Sequence, residues 1–151
     1  MEKRYQVFVS STYEDLRDER QEVMQALLEL DCVPAGMELF PAADEDQWSL
    51  IKSVIDDCDY YIVIIAGRYG SVGPQGLSFT QMDYEYAVEK GKPVIAFLHK
   101  DPTLLQAKYV DGDAAMQEKL ATFRTLVRRK MCRFWSTSPS ELGSVVSRSL
   151  I

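Results

Sequence analysis

Two charged residues, Arg20 and Asp83, occupy positions where the sequence pattern requires an apolar side chain. Arg20 lies four residues after Leu16 and three before Val23, so it falls on the buried face of a predicted helix. A buried guanidinium without a partner is too costly to be accidental. The predicted partner is Glu38 or Asp83. The contact is either a structural ion pair or a clamp on a polar ligand.

Asp83 shares a predicted helix face with Phe79, Tyr86 and Ala87, whereas Glu85 points outward. An inward carboxylate at the start of a helix can contact the hydroxyls of a ribose or act as a nucleophile. The alternative is structural, because an acid in the first turn of a helix stabilises the helix dipole. Asp83 is therefore the first candidate for a catalytic residue, and Glu85 is the second.

Two loop segments carry groups that can meet a ligand. The run Ser10-Ser11-Thr12 ends a predicted strand, and its hydroxyls and free N–H groups either bind an anion or cap the next helix. The run Gly67-Arg68-Tyr69-Gly70 opens a glycine-rich loop that lacks the order of the known phosphate-binding motifs. The single histidine, His99, ends another predicted strand and is expected to be structural, so histidine-assisted nucleophilic catalysis is not expected.

The elements that position these residues alternate between strand and helix patterns. The predicted strands cover residues 5–9, 32–39, 60–66, 93–98 and 131–135, and the predicted helices cover 12–31, 48–55, 80–90, 116–129 and 138–150. Thr12 and Asp15 have the spacing of a capping box for the first helix. Such alternation indicates a three-layer, flavodoxin-like α/β domain with a five-stranded parallel sheet in the order 2-1-3-4-5. Its crevice lies outside the carboxyl ends of strands 1 and 3.

Composition excludes several classes of function. With 17 Lys and Arg residues against 23 Asp and Glu residues, the net charge of −6 argues against unaided binding to nucleic acid. The basic run Arg128-Arg129-Lys130 is expected to be a helix end. The cysteines Cys32, Cys58 and Cys132 have neither zinc-site nor disulfide spacing. No membrane span or signal peptide is expected, so the chain is predicted to be one cytoplasmic domain over residues 1–151, with no metal or resident cofactor.

The segment from Val7 to Arg20, VFVSSTYEDLRDER, resembles an uncharacterised N-terminal domain family related to Toll/interleukin receptor (TIR) domains. That family precedes STAND-type ATPase modules and repeats in signalling and defence proteins. Further matches are spread over nearly the whole chain: Asp59-Tyr60-Tyr61, residues 67–71, Ser78-Phe79-Thr80, residues 90–94 and Phe134-Trp135. The resemblance implies that the chain is the N-terminal part of a longer signalling protein.

The resemblance also implies a chemistry. Active relatives among TIR domains and nucleoside deoxyribosyltransferases break N-glycosidic bonds of NAD or nucleosides with one glutamate, which precedes a small helical residue by four positions. Counting back from Ala87, that position is Asp83. The family pattern has glutamates at the positions of both Gln81 and Asp83, so this sequence departs from it twice.

Two functions follow from the resemblance. In the first, the chain is a signalling module that associates with itself or with other signalling domains and retains a polar nucleotide-type crevice. In the second, it is an effector that cleaves NAD or a nucleoside through Asp83. The residues expected to line the crevice are Ser10, Ser11, Thr12, Arg20, Glu38, Arg68, Tyr69 and Gly70.

Overall fold

The computed structural model describes residues 5–12, 15–36, 45–73, 75–101, 105, 110–136 and 138–150. Strands and helices alternate along the chain as the periodicity predicts. The elements are β1 (Gln6–Ser11), α1 (Arg17–Glu29), β2 (Val33–Gly36), α2 (Glu45–Asp57), β3 (Tyr60–Ile65), α3 (Phe79–Glu89), β4 (Val94–His99), α4 (Ala114–Val127), β5 (Met131–Trp135) and α5 (Pro139–Ser149).

The five strands form one parallel sheet in the order β2-β1-β3-β4-β5, which confirms the predicted flavodoxin-like topology. β1 and β3 are neighbours in register, with Ser10 opposite Val63 and Ser11 opposite Ile64. The connection from β1 runs to one side of the sheet, and the connection from β3 runs to the other. The carboxyl ends of these two strands therefore flank the point where the winding reverses, which is where such sheets bind ligands.

Each face of the sheet has its own apolar core. Phe8, Tyr61 and Val63 pack under α2, α3 and α4, whereas Val7, Val9 and Ile62 pack under α1 and α5. Since successive side chains of a strand point to opposite faces, Ser10 belongs to the first face and Ser11 to the second. Adjacent serines at the end of β1 thus serve two different layers of helices.

Several predicted helix boundaries need correction. Thr12 does not cap the first helix, because α1 begins at Arg17 after Leu16, which makes no side-chain cap. β1 instead ends at Ser11, and Asp15 lies in a turn before α1. On α3 the cap is Ser78, whose hydroxyl accepts from the Gln81 backbone N–H. The predicted end of that helix at Gly91 is confirmed, with φ at +71°.

The remaining observations concern long apolar helices, the cysteines, the basic run after α4 and the edge strand β2. No helix within the described ranges is long and apolar enough to span a bilayer. All three cysteines are free, and the described residues bring together no group of three potential metal ligands. The run from Arg128 to Lys130 follows the end of α4 directly, as expected of a basic helix end. β2 is an edge strand, as expected from Pro34 and Gly36, and its described part covers Val33–Gly36.

Candidate functional site

Asp83 and Ser10 meet at the carboxyl end of β1. The Ser10 hydroxyl donates to Asp83 Oδ2 over 3.2 Å, joining β1 to the first turns of α3. Asp83 lies on the inward side of the helix between the buried residues Thr80, Tyr84 and Ala87. The prediction that Asp83 points inward and Glu85 outward is thus confirmed, since Glu85 is exposed. Phe79 was wrongly placed on the buried face, because 43 % of it is exposed.

Arg20 reaches the same strand end from the opposite layer. Its side chain is 2 % exposed, Nη1 donates to Ser11 Oγ over 2.8 Å, and Nη2 donates to the Val9 carbonyl over 3.3 Å. Between the two predicted partners, Asp83 lies close enough for the guanidinium to lower its pKa. Glu38, the other predicted partner, lies outside the described residues. Arg20 therefore supplies positive charge behind the strand end.

The environment of Asp83 favours its neutral form. Burial raises the pKa of Asp83 to about 7, although the Ser10 hydrogen bond and the Arg20 charge both lower it. Desolvation therefore outweighs both stabilising contacts. Asp83 Oδ1 is shielded from solvent and has no hydrogen-bond partner within the described part of the chain. A carboxyl that changes charge near neutral pH is characteristic of sites that do acid–base or nucleophilic chemistry.

Tyr61 adds a second unsatisfied group beside this carboxyl. The residue is fully buried in β3, where its ring stacks on Phe8, and its hydroxyl completes no hydrogen bond within the described residues. Burial raises the pKa of Tyr61 well above its usual value, and the nearby Asp83 charge raises it further. Two neighbouring orphaned polar atoms in a core indicate a position for a water molecule or a ligand group. Sequence analysis missed Tyr61 because it counts as one more apolar residue of a central strand.

The loop after β3 closes over the end of β1. Tyr69 is buried, its hydroxyl donates to Gln81 Oε1, and its ring packs edge-on against Phe123. Its backbone N–H donates to Asp111 Oδ2 over 2.8 Å. Tyr69 therefore anchors the loop and does not converge on Ser10 with Asp83 and Arg20. Arg68 lies at the surface, 4.0 Å from Asp111.

Gly70 fits a space that admits no side chain. Its φ is +98°, and a Cβ atom at this position would lie 2.9 Å from Thr12 Cγ2. The loop after β3 and the end of β1 therefore touch directly through these two residues. This contact places Thr12 at the crevice, although its hydroxyl binds no partner in the described residues.

Gly70→Ala should destabilise the protein by at least about 2 kcal/mol, because it adds a clash to an unfavourable backbone conformation. Gly91→Ala is the matched control, since its φ is +71° but no atom lies within 4 Å of the added Cβ. That control should cost about 1 kcal/mol. Denaturant unfolding of both variants measures the difference, and equal costs would show that Thr12 moves away freely.

Two further residues that the sequence analysis named have other surroundings in the structure. His99 is buried edge-on against Trp135, and its Nδ1 accepts from the Asp101 backbone N–H, which agrees with the predicted structural role. Burial and the nearby Arg124 lower the pKa of His99. Asp15, predicted only as a helix-capping residue, is instead a buried carboxylate near the loop after β3.

The sheet is parallel, and the buried Asp83 carboxyl lies where its winding reverses. These two features define a flavodoxin-like α/β domain with a polar crevice. The chain belongs to the DUF4062 family, described as a domain of unknown function, which matches residues 6–151. No curated protein matches the chain. The family match therefore includes the residues of the crevice and all five strands of the sheet.

Two solved structures are similar to the chain. The CMP N-glycosidase BcmB from Clostridium botulinum has a TM-score of 0.57 and 16 % sequence identity, over 96 % of this chain and 99 % of that chain. The diflavin flavoprotein A3 from Nostoc sp. has a TM-score of 0.49 and 11 % identity, over 97 % and 96 % of the two chains. At 16 % identity the likeness to the N-glycosidase establishes the architecture alone.

Proposed function

We propose that the domain binds a nucleotide-type N-glycoside at the ends of β1 and β3 and cleaves its glycosidic bond with Asp83. The observation that carries this proposal is the Asp83 carboxyl itself. One oxygen is held by Ser10, and the other is buried with no hydrogen-bond partner among the described residues, at the point where such sheets bind ligands. The fold shared with a CMP N-glycosidase is consistent with this chemistry.

The proposed reaction has two steps. Asp83 Oδ1, as a carboxylate, forms a bond to C1′ of the ribose while the C1′–N bond breaks and its electron pair leaves with the base. Water then hydrolyses the resulting ester, which releases ribose or its 5′-phosphate and restores the carboxylate. The Ser10 hydrogen bond to Oδ2 orients the nucleophile, and the Arg20 charge favours its ionised form against the burial that raises its pKa.

Access to the carboxyl requires movement. Because Asp83 Oδ1 is shielded from solvent, a substrate reaches it only when the surrounding elements separate. The Gly70 contact with Thr12 lies at this boundary, so the loop after β3 is the element that opens in this proposal. Arg68, exposed on the same loop, is placed to meet a phosphate at the entrance.

The experiment that tests the proposal is base release from CMP, NAD and a panel of nucleosides, followed by chromatography at high protein concentration. We expect free base from the wild-type domain and only background from Asp83→Asn. Glu89→Gln is the matched control, because it removes an exposed carboxylate from the same helix and should leave the rate unchanged. Glu85→Gln is measured beside it, because Glu85 is the second catalytic candidate.

Two outcomes would overturn the proposal. One is turnover by Asp83→Asn equal to that of the wild type. The other is no turnover by the wild type or by Asp83→Glu, even when each is fused to a tetramerising helix. Asp83→Glu is included because the related family pattern has glutamate at this position.

A second candidate function is self-association as a TIR-like module of a STAND-type signalling protein. The observation that favours it is an uneven charge distribution around an exposed edge strand. β5 ends the sheet and exposes Met131 and Phe134. Exposed basic residues surround it: Lys100, Arg128, Arg133 and Arg148. Exposed acidic residues lie before β2 and β3: Glu29, Asp31, Asp56 and Asp57. Opposite charges on different sides favour head-to-tail assembly of copies.

Sedimentation velocity at about 50 mM and about 500 mM salt tests this second candidate, because salt screens contacts between exposed charges. We expect assembly at low salt that weakens at high salt and is lost in Arg133→Glu. Lys90→Glu, which makes the same charge change at the end of α3, should have little effect. A monomer under all conditions, or equal effects of both variants, would contradict it.

A further inference from the structure

Asp15 is a second buried carboxylate at the crevice. It is 8 % exposed, and neither of its oxygens has a hydrogen-bond partner within the described residues. The hydroxyl of Thr12 is also buried and completes no hydrogen bond there. The Thr12 hydroxyl lies close enough to lower the pKa of the Asp15 carboxyl, so the two groups satisfy each other only in part. Since native proteins leave few buried polar atoms in that state, the pair is suited to bind a polar group supplied from outside the chain.

The position of these residues relates them to Asp83. Thr12 follows Ser10 by two residues, which is about 7 Å of extended chain and comparable with the width of a nucleobase. Ser10 binds Asp83, and Thr12 contacts Gly70. Asp15 lies near Thr12 and within electrostatic reach of Arg68. Polar groups therefore continue from Asp83 outward to the loop after β3.

We propose that Asp15 is the general acid for the departing base, in a rim subsite formed by Thr12, Asp15 and Arg68. The inference rests on the proposed nucleophilic role of Asp83. As the C1′–N bond breaks, the proton of the Asp15 carboxyl passes to a nitrogen or oxygen of the base, which leaves neutral. The water that hydrolyses the ester returns a proton to the Asp15 carboxylate.

The charges around Asp15 suit a proton donor. Burial raises the pKa of Asp15, and the charge of Asp111 raises it further, while the Thr12 hydroxyl and the Arg68 charge lower it. Glu19 is also electrostatically linked to Asp15, and burial raises the pKa of Glu19 too. Asp15 therefore keeps its proton to higher pH than an exposed aspartate does.

The test compares leaving groups that do and do not need a proton. Cytosine leaving from CMP needs one, whereas 4-nitrophenolate leaving from 4-nitrophenyl ribofuranoside 5′-phosphate does not. Asp15→Asn should lower kcat/KM for CMP by about 100-fold or more and abolish the fall in kcat/KM at high pH. For the nitrophenyl substrate it should change kcat/KM by less than about threefold, since no acid is required.

Two further variants distinguish a loss of catalysis from a loss of folding. Asp18→Asn is the matched control, because Asp18 is exposed in the first turn of α1. Thr12→Val removes a hydroxyl that lowers the pKa of Asp15, so it should move the high-pH fall in kcat/KM toward higher pH. Thermal unfolding of each variant shows whether it is folded.

The outcomes separate the two proposals. If the wild type cleaves CMP and Asp83→Asn does not, the nucleophilic role of Asp83 stands. If Asp15→Asn then affects the cleavage of both substrates equally, or of neither, the acid role of Asp15 is wrong. Should Asp15→Asn fail to fold, an unmoved pH profile in Thr12→Val overturns the acid role. The acid role of Asp15 is also wrong if the wild type cleaves the nitrophenyl substrate but not CMP. If wild type and Asp83→Asn are equally inactive on both substrates, the proposed function itself fails.

Discussion

Asp83→Asn should be more stable than the wild type at pH 8 by up to about 4 kcal/mol, and nearly equal to it at pH 4. The reason is the raised pKa of Asp83, about 7 in the folded protein against 3.8 for the free side chain. At a pH between these two pKa values, the folded state holds a proton that the unfolded state has released. The free energy of unfolding therefore falls as pH rises through this window, and it levels off above pH 7.

Denaturant unfolding from pH 4 to pH 8 measures this difference, because all other titrating groups are common to both proteins. Glu85→Gln is the control on the same helix, and its stability should follow the wild type throughout. Parallel pH profiles of wild type and Asp83→Asn would show that the Asp83 carboxyl is ionised in the folded protein at low pH, contrary to the burial described above.

Arg20→Met should destabilise the protein by about 3–5 kcal/mol, the cost typical of removing one member of a buried charged network. Arg20 is fully surrounded, and its two hydrogen bonds to Ser11 and the Val9 carbonyl have no replacement in methionine. Loss of its positive charge also raises the pKa of Asp83 further, because that charge lowers it in the wild type. The pH-dependent loss of stability should therefore continue above pH 7.

Arg17→Met tests whether this cost is specific to burial, since Arg17 is exposed on the same helix. Its effect should stay within about 1 kcal/mol. Unfolding of both variants and of the Arg20→Met/Asp83→Asn double variant at pH 8 gives the coupling between the two residues. Additive effects would mean that Arg20 and Asp83 contribute to stability independently.

The fold was predictable because each element has a clear pattern. Continuous apolar runs such as residues 60–66 distinguish buried parallel strands, and their alternation with helices leaves few topologies. The start of α1 was not predictable in this way. Thr12 and Asp15 have the spacing of a capping box, but α1 begins only at Arg17, and Thr12 lies against Gly70, a residue far away in sequence.

The candidate site was predictable where a charge breaks an apolar pattern. Arg20 and Asp83 stand out for this reason, and both are found at the end of β1. Tyr61 and Asp15 do not stand out, since tyrosine is ordinary in a strand and aspartate is ordinary before a helix. Tyr69 was expected at the crevice, but its ring fills the core beside Phe123. Only the tertiary packing shows which of these residues face the crevice and which fill the core.

The adjacent serines at the end of β1 have a mechanical consequence. Ser11 is hydrogen-bonded to Arg20 of α1, and Ser10 is hydrogen-bonded to Asp83 of α3. One peptide unit therefore links the helix layers on the two faces of the sheet. α5 packs closely on α1. A displacement of α1 and α5 caused by a binding partner would therefore be transmitted through β1 to the Asp83 carboxyl. This linkage would let an event on one face of the sheet set the reactivity of a group on the other.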